Sequence, residues 1–452
     1  MSLADYPKDT GLNPYYPEAV DPCLIYANGA TDIGVTGGGV IIGRPGPPDG
    51  FRPAPGASPR DQKQEPMLIR FEDCRRVWIT GIRIGNCGAW SVHLKHSEDV
   101  FLDHVRIEND RRDGFDIEGC TNISISNCHL DCGDDAIALM TSRRDRPLRN
   151  LTVTNCLLKS KWAGIRLGPL SKGNFENITV SNCVIHDCDG GGIKIGMFEG
   201  AEIRDCIFSN LVMDQVTAPI SLFIATWPDI GSTQPNPPMM PPGRIRNLQF
   251  RGIRAVTKLV RPGPRPDWNT GMFFHGYRGK PIENITLSDL HITFAGGGSA
   301  ADGRRRKIID MHEIDYRKGG YWTDNKNLWG IPPAYGLYAR HINGLSLDRV
   351  RFELAGEDFR SAVVCFDSEN LSISRFQAAC NANGEAMITT LNCSDVTLSE
   401  CRPEGKASAL IRVEGERTNS VMLFGNDTRR FAKAFECAAG ATSAAVVDRD
   451  HQ

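Results

Sequence analysis

The sequence predicts an all-β chain: a single right-handed parallel β-helix of about twelve coils. Two observations predict it. Apolar residues recur twelve times at offsets 0, +2, +5 and +7, in copies starting at Ile33, Val77, Val100, Ile123, Leu151, Ile178, Ala201, Leu248, Ile285, Leu345, Leu371 and Val396. Several successive copies lie 23 to 28 residues apart, the length of one solenoid coil. The i, i+2 steps are strand alternation, and the odd step from +2 to +5 marks a bend between two short strands. A unit this short buries its apolar face only by stacking on its neighbours.

The bend supports the assignment. Offset +4 is Gly37, Gly81, Asn127, Asn155, Asn182, Asp205, Gly252 or Asp289 in eight copies, and these residue types accept left-handed backbone. Stacked Asn side chains at such a corner can hydrogen-bond along the ladder. A β-propeller needs a longer period, and leucine-rich repeats a different Leu/Asn spacing.

One domain is expected over residues 1–452, with repeats from about 31 to 405, because a solenoid lengthens without splitting its core. A Pro-rich insertion at about 225–245 carries Pro228, Pro235, Pro237, Pro238, Pro241 and Pro242. A second, at about 295–338, carries Tyr316, Tyr321, Trp322, Trp329 and Tyr335. Both are candidates for groove walls, for a lid over an exposed patch or for an oligomer contact. From about 416 to 452 the pattern fades, which suggests a terminal cap with a short helix in the Ala-rich stretch 432–445.

A net charge of −2 implies no nucleic-acid or membrane field. No apolar run reaches transmembrane length and no secretory leader is visible, so the compartment stays open. Most of the fifteen cysteines fall at inward offsets, among them Cys128, Cys156, Cys183, Cys206 and Cys401, and are expected as packed free thiols. His93, His96 and His104 lack a zinc spacing and are expected to be solvated. The sequons at Asn122, Asn150, Asn177, Asn284 and Asn370 share one repeat position and follow from the repeat itself. Gly37-Gly38-Gly39 is a corner, not a phosphate loop.

Stacking the coils turns sequence into geometry. Aligning Trp90–Leu94, Asp113–Ile117, Asp135–Leu139, Ala163–Leu167 and Gly191–Ile195 gives two inward apolar columns. An outward column runs His93, Asp116, Ala138, Arg166, Lys194. With coils about 4.8 Å apart, Asp113 and Asp135 become neighbours and Asp134 lies diagonally. Three crowded carboxylates raise at least one pKa, giving an acid beside ionised partners, as glycosidic cleavage requires. A diagonal separation can give the roughly 6.5–9.5 Å of an inverting pair. Turn residues at strand edges, or a Ca²⁺ site, are the competing readings of the same carboxylates.

The runs Asp113-Gly114-Phe115-Asp116 and Asp131-Cys132-Gly133-Asp134-Asp135-Ala136-Ile137-Ala138 resemble the signature of glycoside hydrolase family 28, the polygalacturonase-like pectinases. Phe71–Cys74, Asn86–His93 and Met213–Ile220 resemble flanking coils of that family. The resemblance implies a pectin-lyase-like solenoid and inversion without cofactor or metal on galacturonate-containing polymers. Asp134 would be the general acid, and Asp113 with Asp135 would activate water. There are departures. The family's Asn-Thr-Asp reads Arg111-Arg112-Asp113, its Gly-His-Gly reads Trp162-Ala163-Gly164, and its Arg-Ile-Lys reads Lys194-Ile195-Gly196. The family's opening coil, ahead of Asp5 and Tyr6, also looks to be missing.

The sequence therefore predicts a divergent glycosidase acting on a pectic or related oligo- or polysaccharide, with a rhamnogalacturonan-type or rhamnose-containing substrate as candidate. Arg166, Lys194, Asp116, His93, Trp162 and Arg112 are the expected substrate-binding residues; Arg111, Arg143, Arg144 and Arg146 also fall near the cleft. A polysaccharide lyase with Ca²⁺ and a basic residue, or a non-catalytic glycan-binding solenoid, stays open. Linkage, endo or exo action and oligomeric state are not legible.

Overall fold

A computed structural model describes residues 22–43, 66–109, 111–229, 232, 236–258, 271–314 and 331–450. It is a right-handed parallel β-helix, as expected, with nearly every described element a short strand paired in parallel. The chain divides into two compact units, one mainly residues 1–189, 193–205 and 226–243, the other mainly 206–225 and 244–452.

In the first unit one sheet stacks Cys23–Asn28, Met67–Glu72, Val92–Lys95, Phe115–Glu118, Ile137–Thr141 and Ala163–Ser171. Its inward columns are those read from the sequence. Ile69, Val92, Phe115, Ile137 and Ile165 lie in register, as do Phe71, Leu94, Ile117, Leu139 and Leu167, and all are buried. The second sheet aligns Val77, Val100, Ile123, Leu151 and Ile178, with Ile79, Leu102, Ile125, Val153 and Val180 two residues on. Offset +7 forms its own column of Ile84, Ile107, Leu130, Leu158 and Ile185. Each such side chain contributes on the order of 1.5–3 kcal/mol of burial.

The second unit repeats the design. Leu248, Ile285, Leu345, Leu371 and Val396 stack in one column, which continues to Val421 and Val446. The fading of the pattern near the C-terminus is therefore a change of side chains, not of architecture. Asn426 stands where Cys401 stands one coil earlier, and its amide accepts from Cys401 N–H at 3.0 Å and donates to Leu398 O at 3.0 Å. The expected helix is absent: 432–445 holds the end of strand Phe431–Ala438 and the single turn Ser443–Ala445. Terminal repeats meet water on one side and lose their apolar signature.

The corner at offset +4 has positive φ in all twelve copies, including His104, Arg349, Arg375 and Glu400. The sequon asparagines mark a second left-handed corner that the sequence reading did not recognise: Asn122, Asn150, Asn177, Asn284 and Asn370 all have φ between 54° and 57°. Their side chains form a ladder, Asn177 to Asn150 at 3.1 Å, Asn150 to Asn122 at 2.9 Å and Asn122 to Asp99 at 3.0 Å. Every cysteine is free, and all but Cys380 and Cys437 are buried.

Of the second insertion, residues 295–314 carry the helix Ala300–Gly303 and the turn Met311–Glu313. Tyr335 is not a groove wall. It lies in strand Ala334–Arg340, is buried, and its hydroxyl donates to Ala379 O at 2.7 Å. Asp5, Tyr6, Pro235, Tyr316, Tyr321, Trp322 and Trp329 lie outside the described residues.

A β-branched residue at a left-handed corner costs about 1–2 kcal/mol. Asn127→Val, which also removes the 2.8 Å bond from Asn127 to Asp103, is expected to lower unfolding free energy by at least that amount. Asn127→Gly should lose less; equal losses in denaturant titrations would mean the corner conformation is not the cause.

Candidate active site

Register brings together residues of four successive coils. Phe115 pairs with Val92 and with Ile137, and Ile137 with Ile165, so His93, Asp116, Ala138 and Arg166 form one outward column. Just before these strands stand Asp113 and Asp135. Asp113 Oδ1 accepts the Asp135 N–H at 2.8 Å, and Asp135 Oδ1 accepts the Ala163 N–H at 3.1 Å. Each carboxylate thus fixes the entry of the next coil's strand. Gly114 is required by close approach: a Cβ there would sit 2.6 Å from Ala136 O and 2.8 Å from Cys132 Sγ.

Asp113, Asp134 and Asp135 each bring an oxygen within 4.8 Å of the others, so the expected clustering is found. Two parts of the expectation are corrected. The patch is not an exposed face, since Asp113, Asp116 and Asp135 are buried and Asp134 alone of the four is substantially open, with its side chain 35% exposed. The oxygens also approach more closely than the roughly 6.5–9.5 Å expected of an inverting pair. One oxygen of each nearest pair sits closer than its carboxyl centre, so spacing alone does not carry the stereochemistry.

Electrostatics follow from this burial. Burial, then the charges of Asp134 and Asp135, pushes the Asp113 carboxyl well above the usual range. Burial raises Asp135 to about 7 against the pull of Arg166, with Asp134 adding to the rise. Asp116 is raised well above its ordinary value by burial and then by Asp113 and Asp135, and among the described residues neither of its oxygens has a hydrogen-bond partner. A raised carboxyl was expected, and it lies on the buried members of the group. Protons in such a cluster belong to the set of carboxyls rather than to one residue.

Two guanidiniums flank the group, Arg112 at 3.8 Å from Asp134 and Arg166 at 3.5 Å from Asp135. They supply the positive charge that a Ca²⁺ ion would otherwise bring. Lys194 Nζ lies 4.5 Å from the centroid of the Trp162 ring, a cation–π contact. His93 turns elsewhere. It is fully buried, 3.0 Å from Glu118 and edge-on to Trp90, and burial lowers it to about 4. His96 is buried too, 3.8 Å from Glu118, so of the three histidines expected in solvent only His104 is exposed.

Glu118 was missed by the sequence reading. Burial opposes its ionisation, yet the His93 hydrogen bond pulls it down to about 2, and Ser142 also donates to it. Its position two residues beyond Asp116, on the same outward face, was the available signal. Asn109 and Ser160 were missed as well. Asn109 donates to Ser91 Oγ and Ala89 O at 3.0 Å each, and Ser160 Oγ to Asp134 O at 2.5 Å; both pin the loops that carry Asp113 and Asp134.

Glycosyl hydrolases family 28 matches residues 16–304, more than half of the sequence and all of this site. The chain belongs to glycosyl hydrolase family 28. An exopolygalacturonase of Arabidopsis thaliana is 26% identical over 42% of this family 28 chain and 44% of its own length. A probable exopolygalacturonase C of Neosartorya fischeri is 35% identical over 29% and 31%. The matches to curated relatives thus span about half of their length or less. The family 28 exopolygalacturonase of Yersinia enterocolitica superposes with a TM-score of 0.59 at 13% identity, over 82% of this chain and 66% of its own, which shows the shared fold.

The raised carboxyls bear on stability. A folded Asp135 that keeps its proton to about pH 7, while the unfolded group releases it near 4, makes stability fall as pH rises between those values. Asp135→Asn keeps an acceptor for Ala163 N–H and removes that loss. The variant is expected to unfold at higher temperature than the parent at pH 7.5, with a ceiling of about 4 kcal/mol, and to match it near pH 4. A variant less stable at both pH values would show that the carboxylate is not held under strain.

Proposed function

We propose that this family 28 chain is an inverting hydrolase of a pectic or related glycan. The observation that carries the reading is the carboxylate cluster, with two members buried and tethered to backbone and one open to solvent. Asp134 protonates the leaving oxygen as the C1–O bond breaks. A water held by Asp113 and Asp135 attacks C1 from the opposite face and gives its proton to that pair, through an oxocarbenium-like transition state. The cluster must hold one proton for the leaving group and keep an ionised carboxylate for the water. Asp116, buried beside the group and itself raised well above its ordinary value, holds its own proton and leaves the shared negative charge to the three catalytic carboxyls.

The substrate reading rests on the flanking cations. Arg112, Arg166 and Lys194 favour an acidic sugar, in line with the polygalacturonase names of the relatives. Where the family has Gly-His-Gly and Arg-Ile-Lys, this chain has Trp162-Ala163-Gly164 and Lys194-Ile195-Gly196. A lysine does not reproduce a bidentate guanidinium clamp. A rhamnogalacturonan-type or rhamnose-containing glycan therefore fits better than plain polygalacturonate, with Trp162 as a platform for a sugar ring.

Asp134→Asn is expected to lower kcat by about 10²–10⁴-fold with unchanged circular dichroism, and NMR of the fresh product from the parent should show the inverted anomer. Retained turnover would remove Asp134 from its role. An ultraviolet-absorbing unsaturated product, lost with chelator, would instead identify a lyase.

Activity is expected to decline as pH rises through the last deprotonation of the cluster, at about 7 or above. Arg166 holds Asp135 down, so Arg166→Gln should move this alkaline limb of kcat/KM to higher pH. A limb that stays in place while KM changes would make Arg166 a binding residue alone.

A further inference from the structure

A second constellation of titratable groups lies in the C-terminal unit, and the hydrolytic reading makes no use of it. His275 ends strand Met272–His275 and pairs in register with Arg340 of strand Ala334–Arg340. His341 follows at once, in left-handed backbone with φ 51°. Asp310 comes from the insertion, where it precedes the turn Met311–Glu313 and its N–H donates to Glu313 Oε2 at 2.9 Å. The insertion thereby lays one carboxylate between two imidazoles of the sheet.

We propose that His275, Asp310 and His341 form a binding site for a divalent transition-metal ion of the Zn²⁺ type. One ligand atom from each lies within 4.8 Å of the others. A tetrahedral ion with nitrogen and oxygen ligands at about 2.0–2.1 Å places those ligands about 3.4 Å apart. His275 Nε2 stands 3.6 Å from Asp310 Oδ1, too far for a hydrogen bond and close to that edge. His341 Nε2 is 2.7 Å from the other oxygen, Asp310 Oδ2, which places a second imidazole nitrogen at the same carboxylate.

The second observation is unmet valence. His275 is fully buried and Asp310 is 1% exposed, yet among the described residues both ring nitrogens of His275 and Oδ1 of Asp310 lack a hydrogen-bond partner. Buried polar atoms are ordinarily satisfied. His312 adds Nδ1 at 3.2 Å from the same Oδ1 and is the nearest candidate for a fourth donor. The cations of the region gather on the other oxygen: Arg340 lies 3.2 Å and Arg278 3.6 Å from Oδ2, and Arg340 also engages Asp367 at 3.1 Å. Two imidazoles and one carboxylate match zinc-like ions, whereas Ca²⁺ and Mg²⁺ take oxygen sets. Phe273 and Tyr338 pack around His275 and make the surroundings dry.

The experiment titrates the chelator-stripped full chain with Zn²⁺ against a chromophoric competitor, and with Co²⁺ by visible absorption. One equivalent of Zn²⁺ is expected, with the intense bands of a four-coordinate nitrogen-containing Co²⁺ site. His275→Gln and Asp310→Asn should each weaken binding by at least tenfold, the scale already seen for loss of outer-sphere partners. No uptake, or uptake unchanged in both variants because the ion sits on Asp113, Asp134 and Asp135 or on Glu72, Asp73 and His96, overturns the proposal. Should His275→Gln lose its fold by circular dichroism, His341→Gln and the parent's Co²⁺ spectrum decide it; a weak six-coordinate spectrum counts against the site.

Discussion

Parallel in-register stacking is the constraint on which everything else in this chain depends. Each strand finds its hydrogen-bond partners a full coil away in sequence, so successive coils must present the same number of residues between corners. Left-handed backbone at two corners per coil is what makes the lengths match. That need explains why Asn, Asp and Gly recur there, and why Arg349 or Glu400 adopts the same strained conformation where they do not. Extra residues enter at coil ends, as the insertion carrying Asp310 does, without disturbing the columns of Leu, Ile and Val.

The carboxylate cluster is an outgrowth of this grammar. In an ordinary coil the residue ahead of a strand satisfies the next coil's backbone through its own main chain. Asp113 and Asp135 do so with a side-chain oxygen, which draws them inward and holds them rigid. Burial then raises both, and Asp116 behind them, so that the site stores destabilisation. Arg112 and Arg166 offset part of the repulsion without quenching it. Such a pattern suits a site that must keep a proton beside a base, because burial and crowding together provide both forms at one pH.

The repeat, its inward columns and the first corner were legible in the sequence because side-chain alternation reports directly on which face is buried. The three aspartates were legible for the same reason: once the register is known, adjacency follows. Burial of outward-facing residues was not. His93 and Asp116 sit on the face that alternation assigns to solvent, yet both are covered, and the 3.0 Å pairing of His93 with Glu118 depends on side-chain directions that alternation does not encode. The last coils escaped notice because Asn426 does with amide hydrogen bonds what Cys401 does by packing.

Substrate choice turns on how the cations are held. Arg166 is tied to Asp135 and so couples the proposed sugar site to the proton inventory of the cluster. Lys194 rests over Trp162, where the ring face holds the ammonium by its quadrupole while leaving its donors directional. A guanidinium fork reads a planar carboxylate by two parallel bonds, and an ammonium on an aromatic shelf reads charge with little geometry. On the function proposed above, such a receptor tolerates different orientations of an acidic group and favours a ring face that can replace the lysine over Trp162. That combination is the physical ground of the proposal that a mixed glycan, in which an uronate and a neutral sugar alternate, suits this chain better than a polymer of uronates alone.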